Sequence, residues 1–331
     1  MLAVLVVLGG AAAALLLSQP EAEEASSSAQ SSEASQAILD QDPAQVSSIK
    51  VENAEGGFEI VPLETGAETS ASSGESSSSG TETVEFTLKG YESYDIDTAQ
   101  VSTSARSVLM LNAIKDLGAQ DSLEKYGLSG SEAVTVNVQY KDGGKDTLVL
   151  GIKAGESAGK YVLKDGTVYI ASSLSDQLYG SPFAYFSKEV YSVPDRTEET
   201  VDSEGSSSAA VVADLLYSMR LSGAAFPKPI ELEYASGKSS GYLITSPITA
   251  ESGTTKFSEL VDSLKSLTAD SVAAAGLTQE NLEKYGLAEP DAQIEFDLNS
   301  EKHTLKVSAP DGDGNRYLAA DDKDLVFQVA G

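Results

Sequence analysis

The sequence predicts an α+β fold of two tandem repeats, each a mainly antiparallel sheet of a hairpin plus a four-strand meander packed on a helix. Three observations support this prediction. The hexapeptide LEKYGL occurs at Leu123–Leu128 and again at Leu282–Leu287. An apolar stripe with helical spacing precedes each copy, and alternating apolar residues typical of half-buried strands follow each copy. Similarity at a fixed spacing indicates that one structural unit occurs twice in the chain.

A hairpin is predicted at the start of each repeat. Ser47–Pro62 alternates apolar and polar residues around Glu55, Gly56 and Gly57. Pro229–Pro247 alternates in the same way around a turn rich in serine and glycine. Alternation of this kind on both sides of a glycine-containing turn is typical of two antiparallel strands.

A helix is predicted after each hairpin, because apolar residues recur there at spacings of three and four. In the second repeat this stripe consists of Phe257, Leu260, Val261, Leu264 and Leu267. In the first repeat it consists of Val108, Leu111, Ile114 and Leu117, with Met110 beside them and Gly118 at the end. Each helix is expected to cover one face of its sheet.

A meander of about four strands is predicted after each hexapeptide, because the apolar residues there alternate with polar ones. The first repeat contributes Val134, Val136, Val138, Leu148, Leu150, Tyr161, Leu163, Val168 and Ile170. The second repeat contributes Ile294, Phe296, Leu298, Leu305, Val307, Tyr317 and Val326.

The repeated hexapeptide is interpreted as a structural corner. A glycine directly after a short helical turn is typical of a left-handed residue that ends a helix, and the next apolar residue packs beneath it. A ligand site formed by the two tyrosines is the alternative. The corner residues are Tyr126, Gly127 and Leu128 in the first repeat, and Tyr285, Gly286 and Leu287 in the second.

The chain is divided by composition. Runs rich in Ser, Glu and Gln predict flexible segments between folded parts. The predicted parts are an N-terminal anchor or signal segment (1–17), a disordered acidic tether (18–45), a first repeat (46–190) with a disordered insert (65–83), a linker (191–209) and a second repeat (210–331). The second repeat has no counterpart to Ser172–Ser187, which indicates that it is truncated at its C-terminus.

The N-terminal segment predicts a location outside the cytoplasm. Leu2–Leu17 is apolar and uncharged, although it is shorter than the ~20 residues of a comfortable membrane span. No Lys or Arg precedes it, whereas Glu21, Glu23 and Glu24 follow. We expect a membrane-anchored protein with its bulk on the outer side. A buried core helix is the alternative.

Charge and cysteine content exclude several classes. The chain has 51 acidic and 22 basic residues, for a formal charge of −29. Such a surface repels phosphate backbones, so nucleic-acid binding is not expected. The absence of cysteine excludes disulfides, thiolate metal sites and cysteine nucleophiles. The remaining classes are solvated extracellular proteins and proteins that bind cations or basic partners.

With its helix, its YGL corner, four strands and a YV or YL strand, the chain resembles the bacterial domain-of-unknown-function family 4340 (DUF4340), in two tandem copies from Ser47 to Gly331. The resemblance implies a membrane-tethered extracytoplasmic protein. It also suggests an accessory subunit of an ABC-type exporter of the gliding-motility-auxiliary kind. It supplies no catalytic residues and no cofactor, and we therefore expect a binding or accessory subunit rather than an enzyme.

Two alternatives to this function remain open. A calcium-dependent surface binding or adhesion module is one, because DGDGNRYLAADD places Asp311, Asp313, Asn315 and Asp322 at ligand positions of a calcium loop. Arg316 stands where that loop needs Gly, so a polar hairpin turn is favoured. An enzyme acting on cell-envelope polymer is the other alternative. His303 is the single histidine and is expected at an exposed turn, without a catalytic role.

Overall fold

The computed structural model describes residues 36–63, 84–155, 159–201 and 207–331. The predicted anchor (1–17), the first part of the tether and the insert (65–83) lie outside the described residues. Within the described ranges, the helices all fall short of the length and apolarity that a membrane crossing requires. Residues 37–331 form one compact unit. For description we divide it into a first half (36–192) and a second half (207–331).

The fold is mostly β, so the predicted α+β class, with a helix packed on each sheet, is wrong. Strands account for 49 % of the structure and helices of all kinds for 16 %. The described residues form two nine-stranded antiparallel sheets and two small two-stranded sheets. Strand pairing, rather than helix packing, therefore organises the molecule.

The first sheet has nine strands with the order β1-β5-β9-β8-β7-β6-β2-β3-β4. They are β1 (Gln36–Asp40), β2 (Val46–Asn53), β3 (Gly56–Pro62), β4 (Phe86–Leu88), β5 (Met110–Gly118), β6 (Val134–Tyr140), β7 (Lys145–Lys153), β8 (Lys160–Lys164) and β9 (Thr167–Ala171). Helix α1 (Thr98–Leu109) connects β4 to β5. Short 3-10 turns occupy Pro43–Gln45, Glu124–Tyr126, Gly130–Glu132, Asp176–Tyr179 and Pro182–Tyr185.

Three strands follow the first sheet along the chain. They are β10 (Glu189–Ser192), β11 (Thr197–Val201) and β12 (Ser207–Val211). Strands β11 and β12 pair with each other as a hairpin. Most of the predicted linker (191–209) therefore takes part in strand structure where it is described.

The second sheet has the order β16-β15-β14-β13-β19-β20-β21-β22-β18. Its strands are β13 (Leu216–Gly223), β14 (Phe226–Tyr234), β15 (Tyr242–Ser246), β16 (Ala250–Glu251), β18 (Ser271–Ala275), β19 (Ala292–Leu298), β20 (Glu301–Val307), β21 (Arg316–Ala320) and β22 (Leu325–Val329). Between them lie α2 (Thr254–Ser263), β17 (Ser266–Thr268) and α3 (Gln279–Lys284).

The two sheets share a strand order. In the first sheet the succession β4-β3-β2-β6-β7-β8-β9-β5 matches β15-β14-β13-β19-β20-β21-β22-β18 in the second sheet. A helix precedes β5 in one half and β18 in the other. In each half, the strands that precede the helix pair with the meander that follows it. Each sheet therefore has more strands than a hairpin plus a four-strand meander.

The helix predicted from Val108 to Leu117 is wrong. Helix α1 ends at Leu109, and Met110 begins strand β5. Leu111 and Ala113 are buried, whereas Met110 and Ile114 are 57 % and 50 % exposed. Burial thus alternates with a period of two, as in a strand. Apolar residues on both faces of β5 imitate a helical stripe in the sequence.

The first strand corrects the predicted tether. Strand β1 lies inside the segment 18–45, and its Ile38 and Leu39 are buried. The amide of Gln41 donates to the carbonyl of Leu109 at 3.0 Å. The last residues of this segment are therefore part of the fold.

The YGL corners have the backbone geometry of a helix end. Gly127 and Gly286 are left-handed, with φ of 64° and 69°. The amide of Leu128 donates to Leu123 O at 3.2 Å, and the amide of Leu287 donates to Leu282 O at 2.7 Å. These are the bonds of a Schellman motif, in which a residue without Cβ is favoured.

Each corner also supports a tyrosine pair. The rings of Tyr126 and Tyr161 lie 4.7 Å apart, and those of Tyr285 and Tyr317 are also 4.7 Å apart. Leu128 and Leu287 are buried. The corner thus directs the chain into the first meander strand while its tyrosine packs on a later strand.

Strand β10 joins the two halves. It pairs with β17, and Tyr191 lies opposite Leu267. The amide of Val193 donates to Lys265 O at 2.7 Å. The ring of Tyr191 lies 5.5 Å from the ring of Phe296. Buried residues of both sheets belong to one continuous hydrophobic core that includes this strand.

We predict unequal effects of alanine at the two corner glycines. Both variants force a left-handed conformation on alanine, at a cost of about 1–2 kcal/mol. A Cβ on Gly127 would lie 2.6 Å from Ile152 Cγ2, whereas a Cβ on Gly286 would lie 3.5 Å from Ser308 Cβ. Gly127→Ala should therefore lose about 1–3 kcal/mol more, as overpacked sites do. Urea unfolding of both variants measures the difference.

The control is Gly127→Ala in an Ile152→Ala background, which removes the overlap with Cγ2 but keeps the contacts with the backbone N at 3.0 Å and the Cβ at 3.3 Å. There the penalty of Gly127→Ala should fall towards that of Gly286→Ala while staying above it. Equal destabilisation by the two single variants would show that the corner at Gly127 is not packed as described.

We predict that Tyr191 contributes to a loss of stability at alkaline pH. Burial raises the pKa of Tyr191 to about 12, from the ordinary value of about 10. Its contribution is fully present below about pH 10 and is lost as pH rises towards about 12, which amounts to about 3 kcal/mol. Tyr191→Phe should remove this share of the alkaline decline, as followed by urea unfolding between pH 8 and pH 12.

Tyr217→Phe is the matched control, because it removes a tyrosine hydroxyl that is exposed on β13. Burial also raises the pKa of Tyr185, so part of the decline should persist in Tyr191→Phe. A profile of Tyr191→Phe that is identical to the wild type would refute this role of Tyr191.

Candidate functional site

A cleft of about 430 Å³ lies between the two halves. One side comes from the loop before α1 and from the start of β10, and the other side comes from the turn between β21 and β22. The lining residues are Ser93, Tyr94, Asp95, Ser187, Glu189, Asp322, Lys323, Asp324 and Leu325. Both halves therefore contribute to its walls.

Backbone hydrogen bonds fix the first-half side of the cleft. The amide of Ser187 donates to Asp95 O at 2.9 Å, and the amide of Asp97 donates to Tyr185 O at 2.9 Å. The carboxylate of Asp97 caps α1 by accepting from the amide of Gln100 at 2.9 Å. The cleft residues before α1 are thus held against the segment that leads into β10.

Asp324 stabilises the opposite side of the cleft and links it to the first half by a hydrogen bond. Its Oδ1 accepts from the amide of Leu277 at 2.6 Å. Its Oδ2 accepts from the hydroxyl of Tyr94 at 3.1 Å. Burial raises the pKa of Tyr94, and the hydrogen bond to Asp324 raises it further. The protonated tyrosine is therefore the form that suits this contact.

The cleft is predominantly acidic. Its carboxylates are Asp95, Glu189, Asp322 and Asp324, and its basic side chain is Lys323. Carboxylates from separate elements that converge on one concavity favour a cation or a basic side chain over an anion. This arrangement was not evident from the sequence, because its members come from three distant segments.

The outer face of the second sheet forms a second concavity, of about 470 Å³. At its centre Arg220 Nε lies 3.8 Å from Glu231 Oε1 and 3.8 Å from Glu295 Oε2. These charges are exposed, so each pair contributes little, about 0–1 kcal/mol. The lining carries four carboxylates and two basic side chains, so this surface is less strongly acidic than the cleft and a weaker candidate for binding a cationic partner.

The described carboxylates with shifted pKa values do not resemble general acids. Hydrogen bonding from Lys89 lowers the pKa of Glu59, and the amide of Gly90 lowers that of Glu92. Burial works to raise the pKa of Asp214, but the hydrogen bonds of Asn299 and Lys265 lower it overall. A general acid in glycoside hydrolysis needs a raised pKa. These residues therefore give no support to a polymer-cleaving activity.

The structure does not bring the four predicted calcium ligands together. Asp311 Oδ1 accepts from the amides of Asp313 and Asn315, both at 2.9 Å. Asp311 thus closes a polar hairpin turn, and Asp322 lies beyond the other end of β21. A strand of five residues spans about 17 Å, so Asp322 is far from this turn.

The expectation of His303 at an exposed turn is wrong. His303 belongs to β20 and is 8 % exposed. Its ring lies 5.0 Å from the ring of Tyr191 and 5.2 Å from that of Phe296. Neither ring nitrogen has a hydrogen-bond partner. The alternation of His303 with Leu305 could have revealed this inward position, since both residues face the core.

Similarity to a known protein family lies in the second half. Residues 243–331 match the family model described as Domain of unknown function (DUF4340). No curated protein and no solved structure matches the chain. The matched segment includes one side of the acidic cleft and the second YGL corner, and a second tandem copy in the first half is not confirmed. The segment 243–331 is therefore similar to the DUF4340 family.

Proposed function

We propose that the protein is a non-catalytic accessory subunit, anchored on the outer side of the cytoplasmic membrane, that binds a basic segment of a membrane complex in its acidic cleft. The observation that carries this proposal is the convergence of four carboxylates from both halves on one concavity. A basic loop with Lys or Arg side chains has the complementary charge and fits such a surface.

The charge of the whole chain supports the same kind of partner. A formal charge of −29 produces a negative field that attracts basic surfaces and speeds their encounter. The cleft gathers four of these acidic side chains in one concavity. The hydrogen bond from Tyr94 to Asp324 holds the two walls in place before binding, which reduces the entropy lost on association.

The proposed location is based on the residues that precede the folded part of the chain. The apolar segment 1–17 and the acidic segment after it are typical of an anchor and a spacer. The DUF4340 resemblance suggests an ABC-type exporter of the gliding-motility-auxiliary kind as the complex. An exporter subunit with a basic loop outside the membrane is therefore the proposed partner.

We predict that cleft charges are required for capture of this partner. The test compares the full chain with an Asp95→Asn/Glu189→Gln double variant, both carrying an affinity tag, in capture from detergent-solubilised membranes of the native cells. The wild type should recover exporter subunits, and the double variant should recover about tenfold less, which corresponds to about 1.4 kcal/mol. Raising the salt concentration should weaken capture by the wild type.

A Glu231→Gln/Glu295→Gln double variant is the matched control, because it removes the same charge from the outer face of the second sheet. It should capture the partner like the wild type. Recovery without any membrane-complex subunit, or equal losses in the two double variants, would contradict the proposed function.

A further inference from the structure

We infer that His303, Asp321 and Asp322 form a binding site for a divalent transition-metal ion, with Zn²⁺ as the best-fitting ion. One ligand atom from each of the three side chains lies within 4.8 Å of the others. His303 is more than nine-tenths buried and its ring nitrogens are unpartnered. The acidic pair is exposed, so an ion can reach it from solvent.

Strand register brings the three residues together. Leu305 of β20 pairs with Ala320 of β21. Continued beyond the end of β21, this antiparallel register places His303 opposite Asp322. The amide of Asp321 donates to Thr304 O at 3.1 Å, which holds the turn against β20. The backbone pairing of β20 with β21 thus positions the two carboxylates beside the histidine.

The buried position of His303 favours a ligand that binds to its unpaired ring nitrogens. A buried polar group without a hydrogen bond costs about 1–3 kcal/mol. Tyr191 and Phe296 pack against the ring, but ring contacts do not satisfy its nitrogens. Coordination of one nitrogen by a metal ion would compensate for part of this cost. The same aromatic rings restrict the imidazole to one orientation beside the carboxylates.

The donor set selects the type of ion. Imidazole nitrogen with carboxylate oxygens suits Zn²⁺ and related transition metals, whereas Ca²⁺ and Mg²⁺ prefer oxygen donors alone. Three protein ligands leave one tetrahedral position for water or another ligand. Asp322 also lines the acidic cleft, so that position is close to the cleft. The inference does not depend on the proposed partner, because the metal ligands are complete within the second half.

The test is titration of the full chain with Zn²⁺, followed by calorimetry and by NMR of the histidine ring. The chain contains one histidine, so its imidazole signals are unambiguous. We expect one equivalent of Zn²⁺ to bind and to shift these signals. His303→Leu should weaken binding by at least about tenfold, the lower end of the loss seen even for outer-shell changes. Ca²⁺ should leave the imidazole signals in place.

Two further variants make the test specific. Asp321→Asn/Asp322→Asn changes exposed residues, so it tests the site even if His303→Leu fails to fold, and it should weaken binding similarly. Asp313→Asn removes an exposed charge at the far end of β21 and should bind Zn²⁺ like the wild type. The Asp95→Asn/Glu189→Gln variant keeps all three ligands and should also retain Zn²⁺, so the capture experiment and this one can fail separately.

Three outcomes would overturn the inference. They are Zn²⁺ binding that is unchanged in a folded His303→Leu variant, imidazole signals that do not move at saturation, and equal weakening by Asp313→Asn and by the Asp321 and Asp322 changes. Each would indicate diffuse attraction of cations to an acidic surface.

Discussion

The packing of strand β10 against the second sheet is the interaction on which the rest of the structure depends. The ring of Tyr191, from the first half, packs against the rings of Phe296 and His303 in the second half, while β10 pairs with β17. Val190 and Val193 are also buried in the continuous core. Without this strand, each sheet would expose an apolar surface, and the cleft between the halves would lose its fixed shape.

The same constraint links the fold to binding. The cleft has walls from both halves, so its acidic groups converge only while the halves remain docked. The contact between Tyr94 and Asp324 closes one side of it. The ring of Tyr191 also packs on that of His303 at 5.0 Å, and His303 lies beside Asp321 and Asp322. Strand β10 thus contributes Glu189 to the proposed partner site and Tyr191 to the surroundings of the proposed metal site.

The sequence correctly predicted those features that depend on residues close together along the chain. The hairpin at Gly56 and the YGL corners depend on residues close in sequence, and the family resemblance was confirmed for residues 243–331. The fold class was wrong because β5 carries apolar residues on both faces, and its pairing with β9 is long-range. His303 was misplaced because its burial depends on Tyr191, which belongs to another half. The cleft was not predicted for the same reason, since its residues come from segments that are distant in sequence and share no local pattern.

Hydrogen exchange of the wild type and of a Tyr191→Ala variant tests the central role of β10 most directly. Removing a buried aromatic side chain costs about 3–5 kcal/mol. The account predicts that protection falls together in β19 and β20 of the second sheet and in the Pro182–Tyr185 turn of the first half. Loss of protection confined to β10 itself, with both sheets protected as in the wild type, would contradict it.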